Sequence, residues 1–137
     1  MIVVDASVMV STLHPPDVNY HVSRAWLRQY LRAGGELVAP ILLLSEVAGA
    51  ITRRTGNPAL GRQAARRLWQ LPELHRVPID ELLGVQATEL AADLGLRGAD
   101  AIYVALAAQL QIPLVTWDRQ QRERGGQRVD ARTPDQA

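Results

Sequence analysis

Leu96-Arg97-Gly98-Ala99-Asp100-Ala101-Ile102-Tyr103-Val104-Ala105-Leu106-Ala107-Ala108 reads as the start and body of a helix that is apolar on almost every side after Asp100. A helix without a polar face belongs inside a domain, covered on several sides. Its first turn nevertheless carries a carboxylate, three residues after Arg97. A charge at the edge of a core is costly unless it is compensated. Three compensations are open: the helix dipole, which favours an acid in the first turn; an ion pair with Arg97; or a cation held by this acid together with others.

The chain of 137 residues has the length of one domain, residues 1–137, with enough apolar surface for a single core. Its 47% hydrophobic and 21% charged residues exclude a disordered polyelectrolyte. No run reaches the roughly 18 apolar residues of a membrane span, so no membrane partner is expected. The first residues lack the basic and apolar regions of a signal peptide. The absence of cysteine excludes disulfides and thiolate metal sites and fits a cytoplasmic protein. All fifteen basic residues are arginines, planar forks suited to carboxylate or phosphate. The net charge of +1 favours no class of partner by itself.

Outward from the buried helix, short β-branched runs alternate with helical patterns. Ile2-Val3-Val4 reads as a strand, followed by a short helix over Val8–Leu13 and a break at His14-Pro15-Pro16-Asp17. A helix over Val18–Arg32 ends at Gly34-Gly35, and Glu36–Ala39 reads as a second strand. Pro40 is expected to open the next helix, which Gly56 ends. Asn57-Pro58 starts another, broken at Pro72. His75–Ile79 reads as a third strand, Asp80 caps a helix ending at Gly95, and Leu114–Thr116 is a fourth strand after the buried helix. An Arg-rich helix or loop, a weak fifth strand near Arg128-Val129 and a frayed tail from Asp130 complete the reading. The alternation predicts an α/β fold, a three-layer α/β/α sandwich around a short, mostly parallel sheet. In such sheets, sites form at the carboxyl ends of the strands.

Four acids gather there on this scheme. Asp5 follows strand one, Asp118 follows strand four, Asp100 opens the buried helix, and Glu46 interrupts the apolar Leu42–Ala48. Each has a plainer explanation: Asp5 and Asp118 as helix caps, Asp100 as a first-turn acid, Glu46 as a surface residue. Together they require more. Two carboxylates 4 Å apart repel by about 4 kcal/mol at an effective dielectric near 20. Four must take up protons or bind cations. Oxygen donors without cysteine point to a hard ion, Mg²⁺ or Mn²⁺, which activates water and neutralises charge on a phosphate. Ser7 and Thr116, two residues from Asp5 and Asp118 respectively, can share the face of those acids and orient them.

Four motifs, Ile2-Val3-Val4-Asp5-Ala6-Ser7, Leu44-Ser45-Glu46-Val47, Leu96–Ala107 with Asp100, and Leu114-Val115-Thr116-Trp117-Asp118-Arg119, resemble those of PIN domains, in order and at the usual spacing, over residues 1 to about 120. Within that superfamily the short chain resembles VapC-type toxins. The resemblance implies a metal-dependent endoribonuclease whose cleavage inhibits translation. It also implies a homodimer, and neutralisation by a small VapB-like antitoxin. The family's acidic positions fall on Asp5, Glu46, Asp100 and Asp118, as catalytic residues and metal ligands, and its hydroxyl positions on Ser7 and Thr116. Trp117 is bulky at a variable position, where it can tune access or stack on a base, and Gly98 stands where other small residues often occur.

RNA binding calls for a basic rim around the acids. Arg97 and Arg119 are its nearest candidates, with Arg122 and Arg124 beyond them. Arg53, Arg54, Arg62, Arg66 and Arg67 form a second group, each also explicable as a solvated residue. Three histidines, His14, His21 and His75, show no ligand spacing. Two other readings compete. One is a non-catalytic PIN-like module that binds RNA or protein. The other is a receiver-like phosphoacceptor, which the chain disfavours because it lacks adjacent acids after strand one and a late lysine.

Overall fold

The computed structural model describes all residues, Met1–Ala137. Five strands form one sheet in the order β3-β2-β1-β4-β5. They are β1 (Ile2–Val4), β2 (Leu37–Pro40), β3 (Leu74–Val77), β4 (Leu114–Val115) and β5 (Ala131–Arg132). Every pairing is parallel. Six helices connect or flank them: α1 (Ala6–Leu13), α2 (Tyr20–Arg32), α3 (Leu43–Thr55), α4 (Pro58–Trp69), α5 (Glu81–Leu94) and α6 (Gly98–Leu110). α6 packs on β1, β2 and β4 and against α5, while α1 packs on α2 and α3, and α3 on α4. This is the expected α/β/α sandwich. No helix is long and apolar enough to cross a membrane.

The topology fixes where a site can form. The chain runs outward from β1 to β2 and β3, then returns to β1's other side with β4. The reversal opens a crevice at the carboxyl ends of β1 and β4. α6 lies against this centre, with Ala101 and Tyr103 through Ala107 buried. Its alanines and Val104 let the helix approach the sheet closely, which is why so apolar a sequence is stable there.

Two expectations are corrected. Pro40 does not open a helix; it ends β2, paired with Val77. Along β2, the N–H groups of Leu37 and Ile41 donate to Glu73 and Val77 on the β3 side. Residue 40 therefore faces the β1 side, where pairing stops at Val38. The missing N–H of Pro40 thus costs no ladder bond. The fifth strand is Ala131–Arg132 rather than Arg128-Val129, and the tail is not frayed. Leu114 donates to the Asp130 carbonyl and Thr116 to that of Arg132, while Thr133 and Pro134 are buried and the last turn packs on α2. This polar edge strand is held by backbone pairing with β4, so it has no apolar pattern to read. Smaller shifts affect other ends: β3 begins at Leu74 and stops at Val77, and the Arg-rich stretch forms a π-helical turn at Gln121–Gly125.

Candidate active site

Asp5 leaves β1 directly into α1, where it is the N-cap, accepting from the Ser7 N–H at 3.0 Å. The plain capping role is therefore real, but it accounts for only one of three donors. Ser7 Oγ donates to Asp5 Oδ2 at 2.6 Å, and Thr116 Oγ1 donates to the same oxygen at 3.0 Å, from 111 residues away in sequence. Ser7 Oγ also accepts from the Trp117 N–H at 3.0 Å. These bonds tie the loop after β1 to the loop after β4. The Asp5 carboxylate is thus immobilised at the crevice mouth. Burial nevertheless pushes its pKa up, against the lowering effect of the donors.

Thr116, fully buried, also accepts from the Asp118 N–H at 3.0 Å. That bond turns the chain so that the Asp118 side chain reaches two donors: the Gln121 N–H to Oδ1 at 2.8 Å, and Arg97 Nη2 to Oδ2 at 3.1 Å. Asp118 thus holds the first N–H of the π-helical turn with one oxygen and the Arg97 guanidinium with the other. Asp100, in the first turn of α6, accepts from Arg97 Nε at 3.0 Å. Arg97 therefore bridges two acids from separate parts of the chain, with its own side chain largely exposed. Burial raises the Asp100 pKa, and Asp118 and Asp5 act in the same direction, while Arg97 opposes them.

Glu46 enters from the first turn of α3 and accepts from the Tyr103 hydroxyl at 2.6 Å. Desolvation raises its pKa, the Tyr103 hydrogen bond opposes this, and the charges of Asp5 and Asp100 raise it further. Tyr103 is itself fully buried, and its pKa is driven up by desolvation and by the carboxylates around it. The structure thus brings Asp5, Glu46, Asp100 and Asp118 into one electrostatic neighbourhood, with Arg97 as its nearest cation. The four do not form a ready cage: no three acidic or imidazole groups are gathered as a metal-ion site.

Other predicted positions lie differently. Arg119 is exposed and pairs with Glu123 at 2.6 Å, one helical turn onward, rather than with the acids. Arg122 donates to the Thr116 carbonyl at 3.2 Å, and Arg124 to that of Gly95. Trp117 is pinned by its indole N–H to Ser23 Oγ on α2 at 2.8 Å, and Ser11 donates to that same serine. Two residues of the site escaped the sequence reading. Tyr103 follows Asp100 by three residues and shares its helix face; a hydroxyl in so apolar a run requires a partner. Gln121 is fully buried, with Nε2 3.3 Å from the Asp100 carbonyl and Oε1 without a partner. Its place inside an arginine-rich run concealed it.

The PIN domain family model matches residues 2–127. No curated protein matches by sequence. Among solved structures, the fold is similar to that of Mycobacterium tuberculosis VapC20, described as a sarcin-ricin loop cleaving toxin. The TM-score is 0.74 at 18% identity, covering 90% of this chain and 94% of that one. FitAcB from Neisseria gonorrhoeae matches with a TM-score of 0.72 at 22% identity, covering 100% of both chains. VapBC2 from Rickettsia felis, bound to a DNA fragment from its promoter, matches with a TM-score of 0.69 at 13% identity, covering 96% and 97%.

Proposed function

The chain belongs to the PIN-domain family, and on that premise we propose that it is a metal-dependent endoribonuclease, the toxin of a toxin–antitoxin pair. One observation carries the reading. Asp5, Glu46, Asp100 and Asp118 come from four separate stretches and converge at the strand-order reversal, with Asp5 fixed by hydroxyls from both sides of the crevice. One buried and three partly buried acids in one neighbourhood disfavour folding and are retained where chemistry uses them. The toxin part of the reading draws on the solved relatives, which include toxin–antitoxin complexes.

The donor chemistry fits a hard divalent ion, Mg²⁺ or Mn²⁺. Every candidate ligand is a carboxylate oxygen, and the donor set holds no nitrogen or sulfur. The charge also fits: a single arginine faces several carboxylates. Asp5, Glu46, Asp100 and Asp118 are the residues that would hold the ion. When bound, such an ion neutralises charge on a scissile phosphate and makes water a better nucleophile.

The chain's own groups do the rest. Ser7 and Thr116 keep Asp5 in one orientation, and Tyr103 does the same for Glu46. The Asp118 and Asp100 oxygens that Arg97 holds are the ones it would release to an ion or to arriving RNA. Arg97, on a long exposed stem, can leave them and offer its planar donors to the phosphate oxygens. No side-chain nucleophile is required.

The test is cleavage of a structured RNA by nuclease-free protein, with Mn²⁺ or Mg²⁺ and with chelator. Cleavage restricted to the metal samples supports the reading. Equal cleavage in chelator contradicts it, and RNA binding without cleavage in any metal favours a non-catalytic module. Partner and assembly are tested separately. Co-expression with a small DNA-binding neighbour should suppress toxicity, and light scattering should give twice the chain mass.

A further inference from the structure

We propose that the α3–α4 hairpin is a second phosphate-binding surface, with Arg53 and Arg62 receiving the backbone of an RNA strand that extends beyond the acid cluster. The inference rests on the RNA-cleaving reading of that cluster and adds the route by which the substrate lies across the molecule.

Between Glu46 and Glu73 the chain holds Arg53, Arg54, Arg62, Arg66 and Arg67 and no acid. Arg54 pairs with Asp17, but the other four are exposed and have no carboxylate partner. Of the ten arginines elsewhere, Arg97, Arg119, Arg128 and Arg132 are ion-paired, and Arg76, Arg122 and Arg124 donate to backbone carbonyls. The hairpin therefore concentrates unneutralised charge. Arg62 and Arg66, four residues apart on one helix, repel each other. A polyanion relieves that repulsion.

The hairpin is also rigid. α3 ends in a left-handed Gly56, Asn57 caps α4 through the Ala59 N–H at 3.0 Å, and Pro58 opens it. The helices touch at Gly61, where a Cβ would collide with the Ala48 carbonyl and Thr52 Oγ1. Arginines on so fixed a support lose little freedom when they bind.

Position links this surface to the acids. Glu46, Gly49 and Arg53 recur at helical spacing on α3, so they share a face. The Arg53 guanidinium folds back over Gly49, where a Cβ would lie 3.0 Å from its Nη1. From Glu46 to Arg53 the helix rises about 10 Å. Beside Arg53 is a shallow cavity of about 350 Å³ lined by Ala48, Gly49, Thr52, Arg53, Pro58 and Arg62. Its only charged groups are the guanidiniums of Arg53 and Arg62, and it has no large apolar side chain. Arginine forks anchor protein partners as well as phosphates, but a strand seated at Glu46 passes Arg53 within about two turns of the same helix. The observations therefore favour RNA over an acidic polypeptide.

The experiment is titration of a fluorescent RNA stem–loop in chelator, which separates binding from cleavage, at several salt concentrations. Each lost phosphate contact lowers the slope of log affinity against log salt by about 0.7 to 0.9. Arg53→Gln/Arg62→Gln should therefore lower it by between about 1.4 and 1.8 and weaken binding at low salt at least about tenfold. Arg53→Lys/Arg62→Lys should restore most of the slope. Arg28→Gln/Arg32→Gln, the same charge change on α2, should have a much smaller effect. Circular dichroism confirms folding of each variant. An unchanged slope in the hairpin variant overturns the proposal, as does an equal loss in the α2 variant. So does lost binding of an acidic peptide with RNA binding intact. If the hairpin variant loses binding while wild type cleaves no RNA in any metal, the nuclease reading fails and this surface stands.

Discussion

The Arg97 guanidinium spans Asp100 and Asp118, donating at 3.0 Å and 3.1 Å. One arginine thus neutralises part of an acidic site built from residues of different stretches, in the place where the functional reading puts a divalent ion. It does so from an exposed side chain, where solvent screens each ion pair. The bridge is therefore easily exchanged.

Removing this bridge should transfer its task to the metal. Arg97→Gln is expected to melt a few degrees below wild type in chelator, because Asp100 and Asp118 lose their counter-ion. Mn²⁺ should then raise its Tm by more than it raises that of wild type. Differential scanning fluorimetry across a metal titration reads both. Identical metal-induced shifts in the two proteins would show that Arg97 and the ion do not share a role.

The Tyr103 hydroxyl donates to Glu46 at 2.6 Å within a largely dry environment. Tyr103→Phe keeps the ring in the core but leaves the carboxylate without its donor. Loss of such a bond, with the remaining carboxylate only partly buried, costs about 1 kcal/mol. Urea unfolding should report that loss, and RNA cleavage should fall because Glu46 is no longer held. Wild-type stability and activity together would show that the bond does neither.

Burial raises the carboxyls of Glu46 and Asp100. A group whose folded pKa lies above its unfolded value binds its proton more tightly in the folded state. Its contribution to stability is complete below the ordinary carboxylate range, and it is lost as pH rises through the raised value. Glu46→Gln/Asp100→Asn lacks that penalty at neutral pH. In chelator, its stability relative to wild type should therefore increase from pH 4 to pH 8. Urea midpoints at both pH values test this. A constant or falling difference contradicts the burial argument.

Much of this site was legible because its parts violate local expectation. Asp100 stands at the head of a helix with no polar face, and Glu46 inside an apolar helix start. Asp5 directly follows a β-branched strand. Such conflicts survive where something beyond local packing retains them. The sheet was legible for a related reason: β-branched runs separated by helical patterns leave few parallel topologies. Tyr103 escaped because its ring satisfies the apolar pattern, and only the fold brings Glu46 to its hydroxyl. Gln121 was hidden among arginines that do reach solvent. β5 carries no side-chain pattern, since its register is set by β4's backbone. Pro40 misled because the residue that starts helices well also fits a strand end whose N–H has no partner.

The central claim is that the acid cluster cleaves RNA with a divalent ion, and the most direct measurement is the single-turnover cleavage rate of Asp118→Asn beside wild type in Mn²⁺. Asparagine can still accept from the Gln121 N–H, so the turn after β4 is retained and the loss is confined to the charge and the oxygen that Arg97 holds. The account predicts matching circular dichroism and a Tm within a few degrees of wild type, with cleavage reduced at least about 100-fold, the scale on which loss of one electrostatic partner in a catalytic site acts. A folded Asp118→Asn that cleaves at the wild-type rate would contradict it.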